Sequence, residues 1–277
     1  MNIPEIIASV EERYKKILED YFRSVFPGDS LSSHGIDHHK RVWIYGKDLF
    51  SRVILPGDKE AYRCASSLIM ACYLHDAGMA IDQGEKHGKL GRELSSEFLR
   101  KNGLLAEDFR EALEAIEFHD DKYYKNHHEN DILRILSVAD DLDAFGITGI
   151  YRYIEIYLAR GIDPALIGSM IRQNAGRRFE NFISQFGYLE DFAAVHKERY
   201  LTLDSFFKKY DEELSSYKFG ISSYKGHCGV VDILADLAIN KRSIEKYLDK
   251  NNFTDDQVIS KYFMELKTEL YPCDSSG

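Results

Sequence analysis

From Ile6 to Val25 apolar side chains recur every three or four residues, at Ile6, Ile7, Val10, Tyr14, Ile17, Leu18, Tyr21, Phe22 and Val25. That period lines them along one stripe of an α-helix and does not suit the two-residue alternation of a half-buried strand. The spacing predicts a helix over Ile3–Phe26, with Pro4 in its first turn and Pro27-Gly28 as its stop. The same pattern predicts helices over Ile36–Val53, Asp58–Leu74, His87 to Asn102-Gly103, Ala106–Phe118 and Ile132–Phe145. Beyond Gly146 it continues through Ile150–Ala159, Asp163-Pro164 to Ile171, Phe192–Tyr217, Val230–Leu248 and Asp255–Leu270. Only five prolines interrupt 277 residues, so the expected fold class is all-α.

Length, composition and charge narrow the function. The chain is long enough for a large core with an appended subdomain. We expect a helical core over residues 1–160 and a C-terminal helical extension over 161–277 packed on it. A 44% hydrophobic and 30% charged composition reads as globular, not disordered. The net charge of −10 argues against a nucleic-acid polymer as partner but leaves room for a small phosphorylated ligand in a local cationic pocket. Cys64, Cys72, Cys228 and Cys273 show no CxxC spacing and no disulfide-rich density. No apolar run reaches the roughly 20 residues of a membrane span, and the N-terminal residues lack a basic region followed by an apolar one. The expected compartment is the cytoplasm, and the C-terminal helices are candidates for a homodimer contact.

The residues that carry chemistry cluster before Gly146. His75-Asp76 closes the third helix, and an imidazole beside a carboxylate suits a divalent metal. Gly78 then lets the chain turn away. His38 falls on the side of its helix that carries Val42, Tyr45 and Leu49, where it must find a polar partner or bind something. His39 points about 100° away and is expected in solvent. His87 opens the fourth helix, and His119 follows Ile116 on the apolar face of the fifth. A histidine alone on such a face is ordinarily a satisfied core residue; the other candidate ligands favour ligation here. Asp140 shares a face with Leu133, Leu136 and Ala144, and a carboxylate there is costly unless paired or metal-bound. Asp143 could reach the same pocket from its rim, while Asp141 is expected to face solvent. His34 lies in a loop, as a substrate contact or as surface. Arg172, Arg177 and Arg178 form a compact basic cluster that reads either as solvated charge or as a guanidinium clamp for phosphate oxygens. Arg152 and Lys122 join that group.

In order, His38, His75-Asp76 and Asp140 resemble the signature of the HD-domain metal-dependent phosphohydrolases. His38-His39-Lys40-Arg41-Val42 is similar to that family's HxxRV start. Leu74-His75-Asp76-Ala77-Gly78 resembles its HDxG turn, and Val138 to Asp143 its ADxLD helix. His87-Gly88-Lys89-Leu90-Gly91 and Ile116-Glu117-Phe118-His119 resemble the HxxxG and IxxH elements of members that hold two metals. The resemblance spans about His34 to Gly146. Met79 stands where HDxGK members have lysine, so that cationic contact is either missing or supplied by Lys86, Lys89 or Arg41. No GYP follows His119, which argues against cyclic di-GMP as substrate, and Asp120 replaces the family's second adjacent histidine.

The resemblance implies an HD-domain helical bundle with His38, His75, Asp76 and Asp140 on one metal. Asp76 would bridge to a second metal held by His87 and His119. Iron, manganese, nickel or zinc suit such N and O ligands. The implied reaction is metal-activated hydrolysis of a phosphate ester or anhydride, of a nucleotide or another small phosphorylated metabolite. Asp76 would be central to it, with His34 or Asp143 protonating the leaving oxygen and Arg41, Lys122, Arg152 or Arg177 holding phosphate. Two other readings are a di-iron oxygenase of the same fold and a non-catalytic metal-binding signalling module.

Overall fold

The computed structural model describes residues 1–26, 35–54, 58–82, 84, 86–120, 130–240, 242–249 and 253–270. Those residues form twelve α-helices and three short 3-10 turns, with no strand among them. The all-α expectation holds. No helix among the described residues is long and apolar enough to cross a membrane.

Two compact units divide between Leu142 and Asp143. The first contains α1 (Ile3–Val25), α2 (Ile36–Val53), α3 (Asp58–Leu74), α4 (His87–Lys101), α5 (Arg110–Phe118) and nearly all of α6 (Asp131–Asp143). Asn2 caps α1 in a reciprocal box with Glu5, each side chain accepting from the other's backbone N–H at 2.9 Å. α3 packs against α1, α2 and α5 and is the middle of the unit. Its residues Ala65 to Leu74 are all buried, as a helix enclosed on every side requires. The helix that carries His75-Asp76 at its end is therefore the best-anchored one. Asn130 starts α6: its Oδ1 accepts from Leu133 N–H at 3.1 Å and its amide donates to Glu111 O at 3.0 Å, tying α6 to α5.

A 3-10 turn over Ala77–Ala80 follows α3 and packs against α4. Glycine makes that approach possible. A Cβ on Gly78 would overlap the carbonyl oxygen of His87, and one on Gly88 would overlap the carbonyl of Glu117. Gly78 thus lets the turn after α3 reach the start of α4, and Gly88 lets the start of α4 reach the end of α5.

The second unit contains α7 (Gly146–Ala159), α8 (Pro164–Phe186), α9 (Glu190–Glu213), α10 (Gly226–Ile239), α11 (Ile244–Leu248) and α12 (Gln257–Leu270). Its core is built on Ile150, Ile154, Ile167, Ile171, Leu203, Phe207, Val230, Val231 and Phe263. α7 packs against α8, α9, α10 and α12, so it is the central helix of this unit. The sequence placed it with the first 160 residues, because hydrophobic periodicity gives a helix but not its neighbours. α8 runs on to Phe186, well past the Ile171 expected, and the helix expected over Val230–Leu248 is two, separated by the Ser243 cap of α11.

Candidate metal centre

Four imidazoles and two carboxylates converge where α2, α3, α4, α5 and α6 meet. His75 follows the last residue of α3, and Asp76 leads into the 3-10 turn. His38 projects from α2 with its Nε2 3.2 Å from Nε2 of His75, 3.6 Å from Oδ2 of Asp76 and 3.5 Å from Oδ1 of Asp140. Nε2 of His75 lies 3.4 Å from Asp76 Oδ2. On the other side, Nε2 of His119 lies 3.3 Å from Asp76 Oδ1 and 3.4 Å from Nε2 of His87. Asp76 thus shares its two oxygens between two groups of ligand-type atoms. His38, His75 and Asp76 form one, Asp76, His87 and His119 the other, with the atoms of each group within 4.8 Å of one another.

The imidazole nitrogens on the far side are held by the backbone. Nδ1 of His75 donates to Cys72 O at 3.0 Å, Nδ1 of His119 to Ile116 O at 2.8 Å, and Nδ1 of His87 to Gly84 O at 2.6 Å. A carbonyl can only accept, so each Nδ1 carries a proton, and in the neutral ring Nε2 presents its lone pair inward. Backbone acceptors of this kind fix tautomer and ring plane in histidine metal ligands. Nε2 of His87 and Nε2 of His119 lie 3.4 Å apart, with Asp76 Oδ1 3.3 Å from the latter, a place for a cation between or beside them. Either a proton or a metal ion can fill that place, so the residues fit a divalent ion.

Electrostatics agree. Burial pushes the Asp76 carboxyl up, but the imidazoles of His75, His119 and His38 outweigh it and hold the acid well below the usual carboxylate range. Burial pushes His119 down, and Asp76 reverses this, raising it to about 9. His75 is lowered, because burial outweighs the Asp76 charge. Asp76 is therefore an ionised carboxylate at any physiological pH, and the cluster around it favours a bound cation.

A model of the HD-CE family matches residues 18–212. The chain belongs to the HD-CE family. No curated protein and no solved structure matches it significantly. The family match takes in every helix of the cluster and continues through α7, α8 and nearly all of α9, leaving α10 to α12 outside. An HD-type domain in this chain accords with buried His/Asp clusters able to hold metal ions.

The remaining site candidates of this HD-CE protein fall in different places. His34 and Lys122 lie outside the described residues, as does the His127-His128-Glu129 segment. Arg41 is partly buried on α2, one turn beyond His38. Asp143 is fully enclosed and accepts from Arg152 Nη1 at 3.0 Å, so these two are engaged with each other inside the second unit. Arg177 is exposed on α8, and Arg172 pairs with Asp204 at 2.8 Å. Asp141, expected in solvent, is buried. So is His39: α1 and α3 both cover α2, and a side chain turned away from one meets the other. Its ring lies 4.5 Å from that of Phe22 on α1 and 4.9 Å from that of His75. The His38-His39 doublet was the sequence signal for this; one amphipathic stripe could not predict a helix buried on two sides.

Proposed function

We propose that this HD-CE protein is a metal-dependent phosphohydrolase that cleaves a phosphate ester or anhydride of a nucleotide or another small phosphorylated metabolite. The observation that carries the reading is Asp76: one enclosed, ionised carboxylate offers Oδ2 to His38 and His75 and Oδ1 to His119. Two-ion hydrolytic sites are built around such a shared carboxylate, since adjacent ions then act on one phosphoryl group. His38, His75, Asp76 and Asp140 would hold one ion, and Asp76, His87 and His119 the other; iron, manganese, nickel and zinc all suit this donor set. Bound ions would supply charge neutralisation on phosphoryl oxygens and an acidified water.

The chain's own residues do the rest. The Nδ1–H···O=C bonds of His75, His87 and His119 keep the Nε2 atoms aimed inward without a reorganisation cost during reaction. Arg41, one turn along α2 from His38, is the phosphate contact we assign within the first unit. Arg152, whose guanidinium donates to Asp143, and Arg177, exposed on α8, belong to the second unit. Asp143 is enclosed and ion-paired with Arg152, so we do not assign it the leaving-group proton. We keep His34 for that role.

Elemental analysis of protein purified without chelator, followed by phosphate-release assays over nucleotides and sugar phosphates, tests the proposal. Near two metals per chain with turnover that is independent of O₂ supports it. Absence of bound metal after incubation with manganese, iron, nickel and zinc overturns it, and turnover that consumes O₂ replaces it with an oxygenase.

A further inference from the structure

His39 is a buried imidazole that the proposed chemistry leaves unused. It is fully enclosed, and its Nε2 has no hydrogen-bond partner among the described residues. Its Nδ1 sits 3.3 Å from the carbonyl oxygen of Cys72, the same oxygen that accepts from Nδ1 of His75 at 3.0 Å. Its ring packs at 4.9 Å from that of His75 and 5.1 Å from that of His38. A leucine or isoleucine would fill this slot beside Phe22 without burying a polar nitrogen that lacks a partner, which is ordinarily destabilising. The imidazole must therefore contribute something an apolar side chain does not.

What it contributes is an N–H on one particular carbonyl. Cys72 lies in the last turn of α3, where carbonyls lose their helical donors. A carbonyl oxygen has two lone pairs. With His39 on one, a single direction remains for the N–H of His75, so the His75 ring has one plane available. The His39 ring also packs against the rings of both His38 and His75. We infer that His39 is a positioning residue for a metal ion held by His38, His75 and Asp76, acting through the shared Cys72 carbonyl and through ring packing on both histidines. This rests on the metal reading above, and the test separates the two.

Metal-stripped full-length protein is titrated with Co²⁺, following the visible absorption of the bound ion and its dissociation constant. His39→Phe keeps a ring and removes the N–H. His39→Gln keeps an N–H donor in place of the ring, and His39→Met, slimmer and without a donor, serves if the Phe variant does not fold. The expected result is a loss of Co²⁺ affinity of about 10–100-fold in the Phe or Met variant, the usual cost of losing an outer-shell partner. A shifted Co²⁺ absorption band should accompany it, and His39→Gln should recover part of both. A purely structural His39 would lower the Tm of the metal-free protein and leave the band and the affinity as in wild type; that outcome overturns the inference. Wild-type protein that takes up no Co²⁺ overturns the metal reading itself, and with it this role for His39.

Discussion

Asp76 and Asp143 are both enclosed carboxylates at or near helix ends, and their surroundings are opposite. Asp76 faces His38, His75 and His119, none of which carries an obligatory charge. Asp143 faces Arg152, which always does. The first arrangement carries no fixed positive charge, so a proton on His119 or a metal ion must balance Asp76. The second is complete as it stands. Burial of a carboxylate therefore does not mark a metal ligand; the charge and tautomer of its partners do. Asp76 stands in a cluster that could hold a metal ion, and Asp143 stands in an ion pair with Arg152.

The largest effect that would break this contrast comes from removing Asp76. Asp76→Ala should cost both metals and bring phosphate release to background, beyond the roughly 10–100-fold that changes around a ligand cost. Elemental analysis beside the activity assay checks it, and full metal content would remove Asp76 from the centre of the scheme. Deleting the other carboxylate should act on stability. Asp143→Ala leaves Arg152 enclosed without that partner, and breaking a buried ion pair from one side costs about 3–5 kcal/mol. A lower Tm with unchanged metal stoichiometry is expected. A variant of normal Tm that binds metal and does not turn over would restore Asp143 to the reaction.

The two aspartates also show where sequence reading succeeds. The helices of the first unit and the set His38, His75, Asp76, His87, His119 could be read because ligand types stand at helix ends or on apolar faces, where chance rarely leaves them. Asp140 came from the same logic, and its Oδ1 lies 3.5 Å from His38. Asp143 could not be separated from Asp140, since the two are three residues apart on α6 and only tertiary structure supplies Arg152. His39 and Asp141 were assigned to solvent by a one-stripe view of helices that the structure covers on more than one side. α7 packs within the second unit, and its near-continuous apolar run says that a helix is central, not which unit it is central to.

Gly88 permits a sharper cut between the two halves of the Asp76 cluster. A Cβ there would overlap the Glu117 carbonyl, so Gly88→Ala must push the start of α4 away and take His87 with it. Overpacking of this kind costs about 1–3 kcal/mol. We expect metal content to fall toward one per chain, with the ion beside His38 and His75 retained. Loss of both ions together would mean the two halves are a single site.

Glu11 supplies the weakest case and completes the comparison. Its Oε1 accepts from Nε1 of Trp43 at 2.6 Å and Nζ of Lys47 at 2.8 Å, near the surface of the first unit. Burial pushes this acid up, yet Lys47 and Trp43 outweigh it and the carboxyl is lowered. A carboxyl whose folded value lies below its unfolded one adds stability above the unfolded value and loses it as pH falls through the folded one. Partly exposed pairs of this type contribute less than about 1 kcal/mol. Glu11→Gln should thus be slightly less stable than wild type at pH 6, and the gap should close between about pH 4.5 and pH 3, the range in which glutamates protonate. Urea unfolding followed by far-ultraviolet circular dichroism at both pH values reads this. A gap that persists at pH 3 would assign the effect to the Trp43 hydrogen bond, which an amide oxygen can also accept only in part, and not to charge; Glu11 would then resemble neither Asp76 nor Asp143.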